Sequence, residues 1–147
     1  MDSKMNLEQH ITNTCRSANY HLRKINYIRD YLDNTALKTL VQSTILPKLD
    51  YCNSLFNGIP QKTIQRIQLV QNNAVRVITG TRRRAHITPI LKYLNWLTIT
   101  KRCQYKLLVL TYKSLHGNAP EYFDNMLTWY TPTTRTLILN QYHPLYK

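Results

Sequence analysis

Between Asp50 and Glu121 the chain carries no carboxylate side chain at all. Its 147 residues hold only 7 acids against 20 Lys and Arg, a net charge of +13 with His neutral. That shortage works against any site built on paired carboxylates, because two-metal polymerases and nucleases hold their ions on clustered Asp and Glu. The nearest pair here, Asp30 and Asp33, sits beside Asn34, where the pattern predicts a helix start. Glycine is scarce too, at 3 residues. The glycine of TGTRRR stands alone, and a phosphate-cradling loop needs two glycines at fixed spacing followed by Lys and Ser or Thr. The 3 cysteines, Cys15, Cys52 and Cys103, are odd in number and far apart, a pattern that points to neither a zinc site nor a disulfide framework. Each falls in an apolar stretch, where a small buried thiol is expected. His10, His21, His86, His116 and His143 belong to no catalytic motif, so the expectation is a chain without enzymatic activity and without a cofactor or metal. No apolar run approaches the ~18 residues that span a bilayer. The start, MDSKMNLEQHITN, lacks the apolar core of a signal peptide. The expectation is therefore an intracellular protein, in nucleus or cytoplasm, with no membrane partner.

Helical periodicity dominates what remains. Ile11, Cys15, Ala18, Leu22, Ile25 and Leu32 recur by threes and fours, tracing one face of a first helix. Asn34 reads as the N-cap of a second, TALKTLVQSTIL, which Pro47 should kink or end. DYCNSLFNG should continue helically until Gly58 stops it. A third helix follows over 59–80, with Ile64, Ile67, Val70, Ala74, Val77 and Ile78 on one face and Gly80 past its end. Thr88-Pro89 forms an N-cap and first-turn pair for a short helix, PILKYL. In the next helix, over 98–117, Cys103, Leu107, Leu108, Leu110 and Leu115 make a broad apolar face that Gly117 closes. Ala119-Pro120 opens one more short helix, PEYFDNML. These signals predict an all-α fold, an irregular helical bundle of five to six helices over residues 1–130. Residues 131–147, with a short β-like run at Leu137–Leu139, read as a loosely structured and truncated tail.

The cations fall into three groups. Arg16, Tyr20, Arg23 and Tyr27 alternate charge and ring along the polar side of the first helix. Lys101, Arg102, Lys106 and Lys113 line the far side of the 98–117 helix, with Tyr105 and Tyr112 at its edge. Arg82, Arg83 and Arg84, followed by His86, occupy an exposed connector, with Arg76 one turn before the helix ends. A helix C-terminus favours a cation by ~0.3–1 kcal/mol, which accounts for one arginine but not three. Cations to neutralise phosphates and flat rings to stack on bases are what single-strand binding requires. The plainer reading is a solvated basic surface with tyrosines at the rim of the core. With no acid to pair across seventy positions, the pattern favours nucleic acid as partner, bound through its backbone with little sequence preference.

LDYCNSL (49–55), the block VQNNAVRVITGTRRRAHITPIL (70–91) and YKLLVLTYKSLHGNAPEY (105–122) closely resemble the C-terminal part of LINE-type (non-LTR) retrotransposon reverse transcriptases, of the jockey-like and chicken-repeat-like clades. HITNTCRSANYHLRKINYIRDYL is similar to the segment that follows the palm in those polyproteins, so the resemblance covers residues 2 to about 140. It implies a helical, thumb-side region that grips RNA or an RNA–DNA hybrid, beside a palm whose metal-binding aspartates have no counterpart here. No catalytic residue carries over. Asn73, Asn95 and Thr98 depart from the small residue, His and Pro that relatives often carry there. The start at Met1 and the end at Lys147 fit a reading frame salvaged from a degraded element. The expectation is a catalytically incomplete fragment with residual nucleic-acid binding. Two alternatives stay open: a protein-interaction module whose exposed apolar faces once met a reverse-transcriptase palm, and a relic without function.

Overall fold

The computed structural model describes residues 7–123, and every regular element among them is helical, as the periodicity predicts. The chain divides into two compact units, 1–109 and 110–147. The expected boundary after residue 130, the tail and its β-like run lie outside the described residues.

Helix α1 (Leu7–Tyr27) buries Ile11, Ala18, Leu22 and Ile25, with Cys15 and Leu32 packed partly against the same core. A 3-10 turn, Arg29–Tyr31, leads to α2 (Asn34–Thr44). The cap of α2 is Asp33 rather than Asn34: its carboxylate accepts from the Ala36 N–H at 3.2 Å, and Asn34 is already helical. Both side chains can cap, and only the backbone decides which of two neighbours takes the extended conformation. Pro47 acts as expected, since α2 gives way to α3 (Leu46–Asp50) with the proline in its first turn.

The helix does not run on to Gly58. Tyr51 is extended and Cys52 takes φ +56°, the left-handed region, before a short 3-10 turn at Asn53–Phe56. Cys52 is also exposed, against the expectation of a buried thiol. Cys15 is half-buried and Cys103 buried, and burial pushes both thiols above their ordinary pKa.

Helix α4 (Gln61–Thr79) is the central element, packing chiefly on α1 and also on α2 and α3. Ile64, Ile67, Val70, Ala74 and Ile78 are buried as expected, while Val77 is half-buried. Val75 and Gln71 are buried as well, and the sequence pattern missed both. Gln71 is fully buried because it is satisfied: its Nε2 donates to the Leu97 carbonyl at 2.8 Å, and its Oε1 accepts from Gln68 Nε2 at 2.9 Å. Gln68 Oε1 in turn accepts from the Ile99 N–H at 2.9 Å, so two glutamines of α4 hold the entry to the last long helix. Gly80 ends α4 at φ +68°, its N–H returning to the Arg76 carbonyl at 2.9 Å.

The short α5 (Thr88–Tyr93) starts one residue earlier than expected, with Ile87 in the capping position and no side-chain cap. It closes on Asn95 at φ +57°: Trp96 N–H meets the Leu91 carbonyl at 2.8 Å and Asn95 N–H that of Lys92 at 3.0 Å. This is the paired-bond helix ending in which asparagine replaces glycine. Helix α6 (Ile99–Leu115) spans the division between the units. In the first unit Ile99 and Cys103 are buried, but Leu108 is 67% exposed, so the broad apolar face is not core along its length. In the second unit Tyr112 and His116 stack at 3.9 Å, and Leu115 is exposed. Gly117 lies past the helix at φ +66°, and a 3-10 turn at Glu121–Phe123 stands where PEYFDNML was expected to begin a helix; the rest of that segment lies outside the described residues.

Ile67→Ala and Leu108→Ala should therefore part company in urea unfolding. The fully buried Ile67 leaves a cavity and should cost about 2–5 kcal/mol. Leu108→Ala should cost under about 1 kcal/mol, and a larger loss would place that side chain in a packed interface.

Candidate nucleic-acid interface

The arginine triplet sits on a connector whose backbone is held. Arg76 donates from its guanidinium to the Arg83 carbonyl at 3.1 Å, and Ala85 N–H closes a turn on the Arg82 carbonyl at 3.1 Å. On the other side the Arg29 guanidinium lies against Gly80, filling the space a Cβ would need. Two cations, Arg29 and Arg76, thus stand at the end of α4, where its free carbonyls carry partial negative charge. Arg82, Arg83, Arg84 and His86 are all exposed. Arg76, half-buried and engaged, belongs to the support of the loop, with its Nε buried and unpartnered.

The packing of α1 on α4 leaves a cleft of about 710 Å³ beside this loop. From α1 come Asn19, Leu22, Arg23 and Asn26, spaced to share one face. From α4 come Asn73 and Val77, and from the connector Arg83. Two residues far apart in sequence, Arg23 and Arg83, therefore converge, and among the described residues no acid lines the cleft. Tyr20 and Tyr27 are exposed, Tyr27 by 84%, so the rings of the first stripe are not packed at the rim of the core. Tyr20 carries the Lys24 ammonium 4.6 Å above its ring, a cation–π contact. Arg16 is exposed on the same helix.

The second group of cations divides. Arg102 is turned inward onto Asp50, donating from Nε at 2.7 Å and also from a terminal nitrogen of the guanidinium. Its side chain is 19% exposed, which takes it out of the set of free surface charges. Asp50 stands 52 positions away and just before the acid-free interval, so no local spacing revealed the pair. Arg102, Tyr105 and Lys106 line a separate cleft of about 330 Å³ with Asp50, Asn53, Asn95 and Leu97. Arg66, on α4, is likewise partly engaged, donating to Thr12 Oγ1 at 3.0 Å with Glu8 at 3.8 Å. Lys101 is exposed; Lys113 and Tyr112 are exposed within the second unit.

The sequence missed Asn19, Asn26 and Asn73. Asn19 and Asn26 flank Arg23 at four and three residues, a spacing visible in the sequence, but nothing there says that α4 will supply a third amide opposite them. Among the described residues no cluster of His, Cys, Asp or Glu is arranged to hold a metal ion, and no helix is long and apolar enough to cross a membrane. No protein-family model, curated protein or solved structure matches the chain.

The Asp50–Arg102 pair is more enclosed than a surface ion pair and less than a core one. Asp50→Ala should cost about 1–3 kcal/mol, between those limits, measured by urea unfolding. In a double-mutant cycle with Arg102→Ala, a coupling near zero would mean that the pair does not anchor α6.

Proposed function

We propose that the chain is a catalytically incomplete, thumb-side fragment of a LINE-type reverse transcriptase that retains sequence-tolerant binding of nucleic acid. The observation that carries the binding is the convergence of Arg23 and Arg83 on one cleft that no acid among the described residues lines, with Arg82 and Arg84 exposed beside it. A polyanion brought there meets several uncompensated cations at once, and each phosphate neutralised releases counterions. The ancestry rests on the resemblance of residues 49–55, 70–91 and 105–122 to that region of those polymerases.

The triple substitution R82A/R83A/R84A should weaken binding of a short RNA strand or RNA–DNA hybrid and flatten its dependence on salt. The slope of log K against log salt should fall by roughly 0.7–0.9 for each phosphate that the variant no longer neutralises. An unchanged slope would remove the connector from the interface.

A second reading is favoured by one observation: Tyr105 and Leu108, one turn apart on α6, are both exposed. Such a surface suits a protein partner or a second copy of the chain. Self-association that persists at high salt and is lost in Leu108→Glu would favour this reading. A monomer at all salt concentrations would rule out the second copy.

A further inference from the structure

The α1–α4 cleft carries more than charge: three amides line it alongside two aliphatic side chains and two guanidinium groups. Asn19, Asn26 and Asn73 line it, and among the described residues no hydrogen bond engages any of the three side chains. Each amide offers two N–H donors beside a carbonyl acceptor, the complement of the donor–acceptor pairs along the edge of a nucleobase. Leu22 and Val77 contribute an apolar surface to the same cleft, suited to the flat face of a base. Arg23 and Arg83 add a guanidinium from each side, able to hold phosphates or to stack on a ring. The volume, about 710 Å³, lies within the ~300–1,000 Å³ of sites that enclose a small organic group.

We propose that this cleft receives one unpaired base of a single strand, splayed from its neighbours, with Asn19, Asn26 and Asn73 on its edge and Arg23 and Arg83 on the flanking backbone. The assignment rests on the nucleic-acid reading above and narrows it. A paired base has its Watson–Crick edge occupied and its faces stacked, whereas bases of single strands can be turned out and bonded along their edges. The protein therefore prefers an unpaired strand to a hybrid duplex, while still tolerating many sequences, because an amide can pair with the edge of any base. An acidic peptide is the rival ligand for the same arginines and amides, and competition with poly-glutamate separates the two.

The test uses the full chain and a labelled mixed-sequence single strand of about eight nucleotides, within the span of single-strand binding modules. Fluorescence anisotropy compares it with a strand of the same length that is abasic throughout, and with a blunt RNA–DNA hybrid. The abasic strand should bind at least about tenfold more weakly with the same salt slope, since it keeps every phosphate and loses only the base edges and faces. The hybrid should also bind more weakly than the single strand. The surface variant N19A/N73A should bring the normal strand down to the abasic level, again without altering the slope. Equal affinity for normal and abasic strands would overturn the base assignment and leave the phosphate interface standing. A difference that survives in N19A/N73A would move the base to another place. Displacement of the strand by poly-glutamate as readily as by unlabelled single strand would also overturn it, and an absence of salt-dependent binding to any strand would overturn the interface and this assignment together.

Discussion

The packing of α1 on α4 governs where every other feature of the first unit falls. Each helix brings a fully buried alanine, Ala18 and Ala74, to its apolar stripe, among larger buried residues such as Ile11, Leu22, Ile67 and Val70. Small side chains let helix backbones approach, and the larger ones then interlock around them. Because the stripes are narrow, the polar side of each helix stays outside the contact. The residues at the margin of that contact, Leu22 and Val77, are the ones that pass into the cleft. The cleft is thus a by-product of packing, and its chemistry is set by whichever polar residues flank the stripes. On α1 those are Asn19, Arg23 and Asn26; on α4, Asn73.

The elements legible in the sequence are those with a local cause. Gly80 ends α4 because an L-residue at φ +68° is strained there and glycine is not. The helix break near Pro47 follows from the missing N–H and the fixed ring. What could not be read has causes distant in sequence. Gln71 looks like a solvent residue until the Leu97 carbonyl arrives 26 positions later to receive its amide. Arg102 looks like a free cation until Asp50, 52 positions earlier, closes on it. The apolar pattern of α6 shows that the helix has a greasy face, but periodicity carries no statement of what covers that face. Leu108, on that face, is exposed. The left-handed Cys52 is a different failure, because no residue-type signal announces positive φ at a cysteine.

The candidate interface was half legible on the same grounds. The residue types were visible, and their grouping was not. Stripes drawn on single helices put Arg16 and Arg23 together and Arg102 with Lys106, whereas the fold unites Arg23 with Arg83 and assigns Arg102 to a structural pair. Charge counts overstated the free cations of the acid-free interval, since Arg66, Arg76 and Arg102 are each at least partly engaged.

The triplet itself remains beyond what folding requires. The end of α4 offers unpaired carbonyls, and a cation there is worth a fraction of a kcal/mol when exposed. Arg76 and Arg29 already stand at that end, one bonded to the Arg83 carbonyl and the other lying on Gly80. The stabilisation a helix terminus can take from nearby charge is therefore supplied before Arg82 is reached. Three further guanidinium groups add mutual repulsion and, among the described residues, meet no carboxylate, a net cost to the isolated chain. The same repulsion becomes an attraction for phosphate, because an incoming anion meets cations that no internal carboxylate has neutralised. Arg76 fixes the backbone at Arg83, so the connector presents its charge from a defined position, and binding of the proposed polyanion would need less ordering than a free loop requires.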